Sequence, residues 1–449
     1  MTDPKTPDGK VAPATKKAAT KKAPAKKAPA KKKTTKKTAA KSLRAQHAAS
    51  VAKVIYAKLK HKPVAQNFST NPHVPSGSSL VDDLIGGSPA QDGKGPVCPG
   101  YPRRRITEVY GPESSGKTTL ALEAIVSVQK SGGWAMFIDF EHALHHGYAK
   151  AIGVNFKQDQ LLLYAPNTFE EGIRMLYMGI LGGCDLIVVD SVAAMVPEAE
   201  LKKPPGAPAK IGALAAEMAN KLPKICGWLA KKNPKCPEGT AVIFINQIRA
   251  AISTGGGGRG GSENTSGGKA LKFFAYLRLR LVRLRSDSIE RTNKFTGKKQ
   301  KFAYGNHTQV KVVKSKIDAK QGHTTDIFIR YGKGIDDYLS ILEAAVANKI
   351  IERSGAYYHL EGERFQGRER IRSFLEGSPK VFAKIRNMVL KVVQAASIEA
   401  PPEIEHDEAN LMSMYDAEYG DEDEAPDETI ESLVEDDSLS AVQEEDLEL

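Results

Sequence analysis

The chain has 449 residues, 41% of them hydrophobic, and a formal net charge of +12. That length allows two or three domains; no apolar run approaches the roughly 18 residues of a membrane span, and the N-terminus lacks a secretory apolar stretch, so no membrane partner is expected. Four cysteines, Cys98, Cys184, Cys226 and Cys236, form no CxxC pair or Cys/His cluster, which argues against zinc and disulfide frameworks and leaves a reducing cytoplasm as the expected location.

Residues 1–44 carry 14 Lys and Arg44 against Asp3 and Asp8, a net of +13. Their Lys/Ala/Pro repeats have no apolar periodicity and cannot offset the entropy of ordering, which predicts a disordered basic tail. Such a tail either screens against polyanions such as DNA or acts as a solubilising spacer. Residues 45–105 read as an N-terminal linker segment. Within it "VAKVIYAKLKHK", 51–62, has a short amphipathic helical pattern ended by Pro63, and "SSLVDDLIGG" interrupts a Gly/Pro/Ser-rich stretch.

The stretch "VYGPESSGKTTLALEAI" matches the P-loop spacing G-x-x-x-x-G-K-[ST], through Gly111, Pro112, Glu113, Ser114, Ser115, Gly116, Lys117 and Thr118, with Thr119 following. Ile106 to Tyr110 alternates apolar and polar residues as a strand does, and Thr119 to Gln129 has helix-period apolar residues that stop at Gly132 and Gly133. Strand, turn and helix are the context the motif requires. The backbone N–H groups and the helix N-terminus suit phosphate, Lys117 suits the outer phosphates, and the Thr118 hydroxyl suits Mg2+.

From 106 to about 335, apolar runs alternate with helix-period segments: "WAMFID" at 134–139, "DLIVVD" at 185–190 and "AVIFIN" at 241–246. This predicts an α/β fold, a twisted, mostly parallel sheet flanked by helices, with ligands at the carboxyl ends of the strands. Each run ends in polar residues: Asp139 and Glu141, Asp190 and Ser191, Asn246 and Gln247. Asp190 fits a magnesium-positioning carboxylate and Glu141 a general base for water. Any one of these alone would read as a helix cap or loop carboxylate; their recurrence at strand ends beside a P-loop favours a nucleotide site.

Two loops follow strands of this sheet. "PEAELKKPPGAPAK", 197–210, is a long polar loop that reads as mobile and basic; with the second loop it suggests a surface that grips a nucleic-acid backbone and changes with nucleotide state. The other, in 249–285, places six glycines between 255 and 261 around Arg259, then Gly267, Gly268 and Lys269. By composition it is either a flexible linker or a segment that orders on a ligand; Arg249, Arg259, Lys269 and the glycine amides suit a nucleic-acid backbone. Position beside the nucleotide site favours the second reading. Leu277 to Leu281 alternates Leu with Arg as a half-exposed strand whose basic face is merely solvated. Residues 398–449 read as a disordered acidic tail whose sign suggests competition with nucleic acid for basic surface: 399–449 has 21 Asp or Glu and no Lys or Arg, which leaves +20 for 45–398.

The blocks "EVYGPESSGKTTLALEAI", "FIDFEHAL", "LIVVDSVAAMVPEAE", "VIFINQIR", "TSGGKALKFFAYLRLRL", "VKVVKSKI" and "GAYYHLEGERFQG" occur in the order found in bacterial RecA recombinases, and the resemblance spans about 75–395. It implies a P-loop NTPase core of the RecA type at 106–335 and a small α+β C-terminal domain at 336–397, in a DNA-dependent ATPase that polymerises on single-stranded DNA and pairs it with homologous duplex, with single-strand-binding and loader proteins as further partners, and an oligomerising role for 45–105. By resemblance Gly111 to Thr119 bind ATP, Glu141 activates water, Asp190 supports Mg2+, and Tyr148 and Tyr331 pack near adenine. Gln247 resembles the switch residue that repositions the glycine-rich loop. Lys314 and Lys316 match a pair that reaches a neighbouring subunit's ATP, and Phe273 an interface anchor. His145 and His146 depart from the family's Asp-Pro, "PPGAPAK" from its first DNA loop, Glu217 from a usually basic position and Lys269 from a usual Asn; the basic tail suggests a phage-encoded relative. Rival readings are a hexameric helicase motor on the same core and a DNA-compacting protein with a vestigial ATP site.

Overall fold

Apolar alternation with period two builds a sheet buried on both faces. The strands in chain order are β1 His73–Val74, β2 Tyr101–Pro102, β3 Ile106–Gly111, β4 Ala135–Asp139, β5 Leu161–Tyr164, β6 Leu186–Asp190, β7 Ala241–Arg249 and β8 Asn264–Thr265. They continue as β9 Leu277–Thr292, β10 Lys299–Ser315, β11 Thr324–Arg330, β12 Gly334–Ile335, β13 Glu352–Ser354, β14 Tyr357–Leu360 and β15 Glu363–Gln366. In β6, Leu186 and Val188 enter one core while Ile187 and Val189 enter the other; in β7, Ile243 and Ile245 oppose Val242 and Phe244 in the same way.

This computed structural model describes residues 72–86, 97–249 apart from 205, 209 and 211, 264–292, 299–317 and 320–398. All lie in the unit Ser69–Leu449. The helical pattern at 51–62, both charged tails and Arg259 fall outside the described residues.

The main sheet has 10 strands in the order β12-β11-β10-β9-β3-β7-β6-β4-β5, with β8 paired to β7. Neighbours from β9 to β5 are parallel, and those from β9 outward to β12 antiparallel. Helix Lys117–Lys130 covers one face through Leu120, Ile125 and Val128. Helices Phe169–Gly182 and Ala213–Ala230 cover the other through Leu176, Ile180, Met218 and Leu222. A third core joins Leu339, Leu342, Ile371, Leu375 and Val389 of helices Asp337–Ala347, Arg368–Gly377 and Pro379–Ile398 to Tyr358 of the β13–β15 sheet. Among the described residues no helix is long and apolar enough to cross a membrane.

Two sequence expectations are corrected. The basic face of Leu277–Leu281 is not simply solvated: Arg278 is 8% exposed, and its Nε donates to Glu108 Oε2 at 2.5 Å. Alternation on one strand cannot reveal that the neighbouring strand carries a buried carboxylate. The 197–210 stretch contains a short helix, Glu198–Leu201, and its lysines have acidic partners, Lys202 with Glu198 at 2.7 Å and Lys203 with Glu200 at 2.8 Å. Local pairing reduces the positive charge that composition suggested.

Helix Lys117–Lys130 also meets the chain leading into the C-terminal helices, where Ile335 N–H donates to Glu123 Oε1 at 2.8 Å. Burial pushes the Glu123 carboxyl up from 4.5 to about 7. Between those values the folded chain holds a proton that the unfolded chain has released, so this group's contribution to stability falls as pH rises from about 4.5 to about 7. Glu123→Gln keeps the acceptor for Ile335 and removes the titration. Thermal melts across pH 5–8 are expected to show a flatter profile for the variant, with its Tm higher at pH 8 by about 2–4 °C for ~1 kcal/mol relieved.

Candidate nucleotide site

The turn between β3 and helix Lys117–Lys130 is shaped by close backbone approach. A Cβ at Gly111 would collide with the Leu281 carbonyl oxygen, and one at Gly116, φ 92°, with Ile329 Cδ1. Side chains are therefore excluded where the turn lies against β9 and β11. Ser115 Oγ closes the turn by donating to Pro112 O at 2.8 Å, while Pro112, Glu113 and Ser114 lie on its exposed side. Gly116 leads into the helix, whose first N–H groups face the turn and favour an anion.

Lys117 is 7% exposed and its Nζ donates to Gly111 O at 3.1 Å and Pro112 O at 2.7 Å. Burial lowers its pKa, opposed by the charges of Asp190, Glu141 and Glu113. Thr118 Oγ1 donates to Asp190 Oδ2 at 2.7 Å. Burial pushes the Asp190 carboxyl up to about 6; the Thr118 hydroxyl opposes the rise, and nearby Glu141 and Asp139 add to it. A hydroxyl and a buried carboxylate side by side, beside a lysine, suit a hard divalent cation bound together with phosphate oxygens.

The second cluster lies at the ends of β4, β6 and β7. Gln247 Nε2 donates to Glu141 Oε1 at 2.8 Å, and Ser191 Oγ donates to the same oxygen. Lys117, Thr118, Asp190, Glu141 and Gln247 are thus brought together from positions up to 130 residues apart in the chain. Parallel strands make this possible, since their carboxyl ends share one edge of the sheet.

The two tyrosines approach the same turn. Tyr148 OH and Thr119 Oγ1 lie 2.8 Å apart. Tyr331, 47% exposed, donates to Asn306 Oδ1 at 2.6 Å, and Asn306 Nδ2 donates to Ser114 O at 3.3 Å. His145 does the work of a helix cap: its Nδ1 accepts from Tyr148 N–H at 2.9 Å. Ser191 and Asn306 were not singled out as site residues from sequence. Ser191 had a signal in its place directly after Asp190; Asn306 had none, because its partners come from other segments.

The glycine-rich loop begins immediately after β7, and its stems pair, Ile248 with Thr265 and Arg249 with Asn264. Gly267, φ 80°, and Gly268, φ 75°, pack on Val192 and Ala215, where a Cβ would approach to 2.8 Å and 2.7 Å. Lys269 is exposed and precedes helix Ala270–Phe274. Beneath the stem, Asn246 Nδ2 donates to Ser266 O at 3.0 Å and to Glu108 Oε1 at 2.9 Å. Lys314 sits elsewhere, donating to Lys272 O at 2.7 Å and Phe273 O at 2.8 Å at the end of that short helix. Burial lowers its pKa, as do Lys316 and Arg278. Lys316 is exposed and Phe273 is 68% exposed.

Glu108 is 0% exposed and its charge is compensated by Arg278. Glu108→Ala leaves that guanidinium without its carboxylate and should cost about 3–5 kcal/mol in urea unfolding, whereas Glu108→Gln should cost less because Asn246 keeps an acceptor.

Family models for the RecA N-terminal domain and the RecA C-terminal domain match residues 76–336 and 339–394. The chain is 39% identical over 352 residues to Protein RecA of Borrelia hermsii (strain HS1 / DAH), covering 78% of this chain and 89% of that one. It is 40% identical over 330 residues to Protein RecA of Lactobacillus delbrueckii subsp. bulgaricus (strain ATCC BAA-365 / Lb-18), covering 73% and 80%. Against Protein RecA of Salinispora arenicola (strain CNS-205) the identity is 40% over 340 residues, covering 74% and 86%.

Proposed function

Because the chain belongs to the RecA family of DNA recombinases, we propose that the cluster at the ends of β3, β4, β6 and β7 is its ATP-hydrolysing site and that the glycine-rich loop is its DNA-responsive element. The protein is a DNA-dependent ATPase of recombination and repair that assembles on single-stranded DNA and pairs it with homologous duplex. The observation that carries the site assignment is the 2.8 Å bond from Gln247 to Glu141. It joins a general-base carboxylate to the end of β7, the strand that runs into the loop, so a shift of the loop stem moves the group that orients water.

Gly111 to Thr119 would hold ATP, with Lys117 and the helix N-terminus on the outer phosphates; Thr118 and Asp190 would hold Mg2+, which supplies positive charge to phosphate oxygens. Glu141 takes the proton of the attacking water, and Ser191 with Gln247 fixes which of its oxygens is free to do so. Tyr148 and Tyr331 flank the base. Arg249, Arg259, Gly267, Gly268 and Lys269 form the DNA-facing loop and its stem. Lys314, Lys316 and Phe273 face a neighbouring subunit of a helical filament. In the described chain Lys314 caps its own subunit's helix, so assembly must exchange that contact for the neighbour's phosphate. We divide the chain into basic tail 1–44, oligomerisation segment 45–105, ATPase core 106–335, C-terminal domain 336–397 and acidic tail 398–449, acting in the cytoplasm with loader and single-strand-binding proteins. The family models meeting near 336–339 support the third boundary. The C-terminal match also disfavours the ring-helicase and compaction readings.

The test is ATP hydrolysis with and without single-stranded DNA on samples imaged by negative-stain microscopy. DNA-stimulated turnover with helical filaments is expected; rings or DNA-independent turnover would overturn the reading. Lys117→Ala should abolish turnover. Gln247→Ala should lower DNA-stimulated turnover by about 10²-fold, at the low end of general-base effects, while ADP affinity stays unchanged.

A further inference from the structure

The antiparallel extension of the sheet reaches back to the nucleotide turn through one side chain. Asn306 lies on β10, opposite Ile329 of β11 and Ser286 of β9, and is 5% exposed. Both ends of its amide are engaged: Nδ2 donates to Ser114 O at 3.3 Å, and Oδ1 accepts from Tyr331 OH at 2.6 Å and Ser286 Oγ at 3.4 Å. The orientation is fixed by these partners, since the Ser114 carbonyl needs a donor.

The local chain is built to aim that amide. The β9–β10 register shifts between Ala303 and Gly305, leaving Tyr304 as a bulge, and bulges re-aim the side chains that follow them. Gly305 has no side chain because a Cβ there would lie 2.5 Å from Ile329 O. The bulge residue also holds Tyr331 by its backbone, with Tyr331 N–H donating to Tyr304 O at 3.0 Å. Tyr331 is therefore gripped at both ends by β10, at its amide by Tyr304 and at its hydroxyl by Asn306, while its half-exposed ring stays free of the core. A tyrosine held only by its backbone would lose rotamer entropy when a ligand covered the ring. Prior fixing removes part of that cost.

We propose that Asn306 is a positioning residue of the nucleotide site: it locks the Tyr331 ring to the phosphate-binding turn at Ser114, and so sets nucleotide affinity rather than the rate of the chemical step. The proposal rests on the assignment of this turn to ATP, and it adds to that assignment a residue with no place in the P-loop motif.

The experiment is calorimetric titration of the full-length protein with Mg2+ and ADP, together with steady-state ATPase kinetics on single-stranded DNA. Asn306→Ala should raise the ADP Kd and the ATP KM by about tenfold, the scale of the two of its three hydrogen bonds that join Tyr331 to Ser114, with kcat at saturating ATP within about twofold. Tyr331→Phe should weaken binding by about threefold to fivefold in the natural background, and by nothing further in an Asn306→Ala background, because the hydroxyl acts through the amide. If Asn306→Ala melts early, the same cycle is run with Asn306→Leu, which is close in volume and has no polar atom. Wild-type affinity in either Asn306 variant, a loss confined to kcat, or full additivity of Tyr331→Phe would overturn the proposal. Lys117→Ala separates it from the site assignment: ADP binding undiminished in that variant would sink the assignment, whereas binding lost there but intact in the Asn306 variants would sink this proposal alone.

Discussion

A single buried carboxylate holds the centre of this sheet. Glu108 lies in the middle of β3, between β9 and β7, and is compensated from both sides, by the Arg278 guanidinium on one strand and the Asn246 amide on the other. A charge in that position is expensive to bury unless its partners keep their geometry. The relative placement of three strands is therefore constrained by one group, and those strands carry the phosphate-binding turn, Gln247 and the wall of β9 against which Gly111 lies. Arg278 also sits over the Tyr110 ring, 4.6 Å from its centroid, which ties the same guanidinium to the residue preceding the turn.

From that fixed centre the site is assembled by topology. Parallel neighbours bring their carboxyl ends to one edge, so Asp190 from β6, the Glu141 region after β4 and Gln247 within β7 meet the turn that follows β3. Their electrostatics are mutual. Lys117 is desolvated but surrounded by acidic groups, and Asp190 is desolvated among other carboxylates. Each is more stable in its charged form when an opposite charge arrives, which suits a site that takes up polyanion and cation together.

The outer, antiparallel half of the sheet connects this centre to the C-terminal helices. Arg368 Nη2 donates to Tyr304 OH at 2.5 Å and pairs with Asp287 at 3.1 Å, while Arg372 Nε pairs with Asp336 at 2.7 Å. The bulge that presents Asn306 and Tyr331 is thus held from the far side by a helix of the C-terminal core. Polar contacts of this kind give a continuous path from that core to the nucleotide turn, through side chains separated widely in sequence.

Much of the chemistry was legible in the residues themselves. The P-loop spacing fixes a turn because its glycines and the following helix act locally, and the strand-end acids are visible because apolar runs stop at them. Ordered blocks beyond the P-loop implied the family, and the family models agree. What the sequence could not show depends on partners brought together by folding. The burial of Arg278 needs Glu108 from 170 residues away, and the role of Asn306 needs Ser114 from 192 residues away. The pairing of lysines in 197–210 needs a turn of helix that composition hides. Local spacing determined which groups can bind phosphate and activate water; only the tertiary structure decided which charges are buried and which side chains hold them, because burial and hydrogen bonding are properties of neighbours in space.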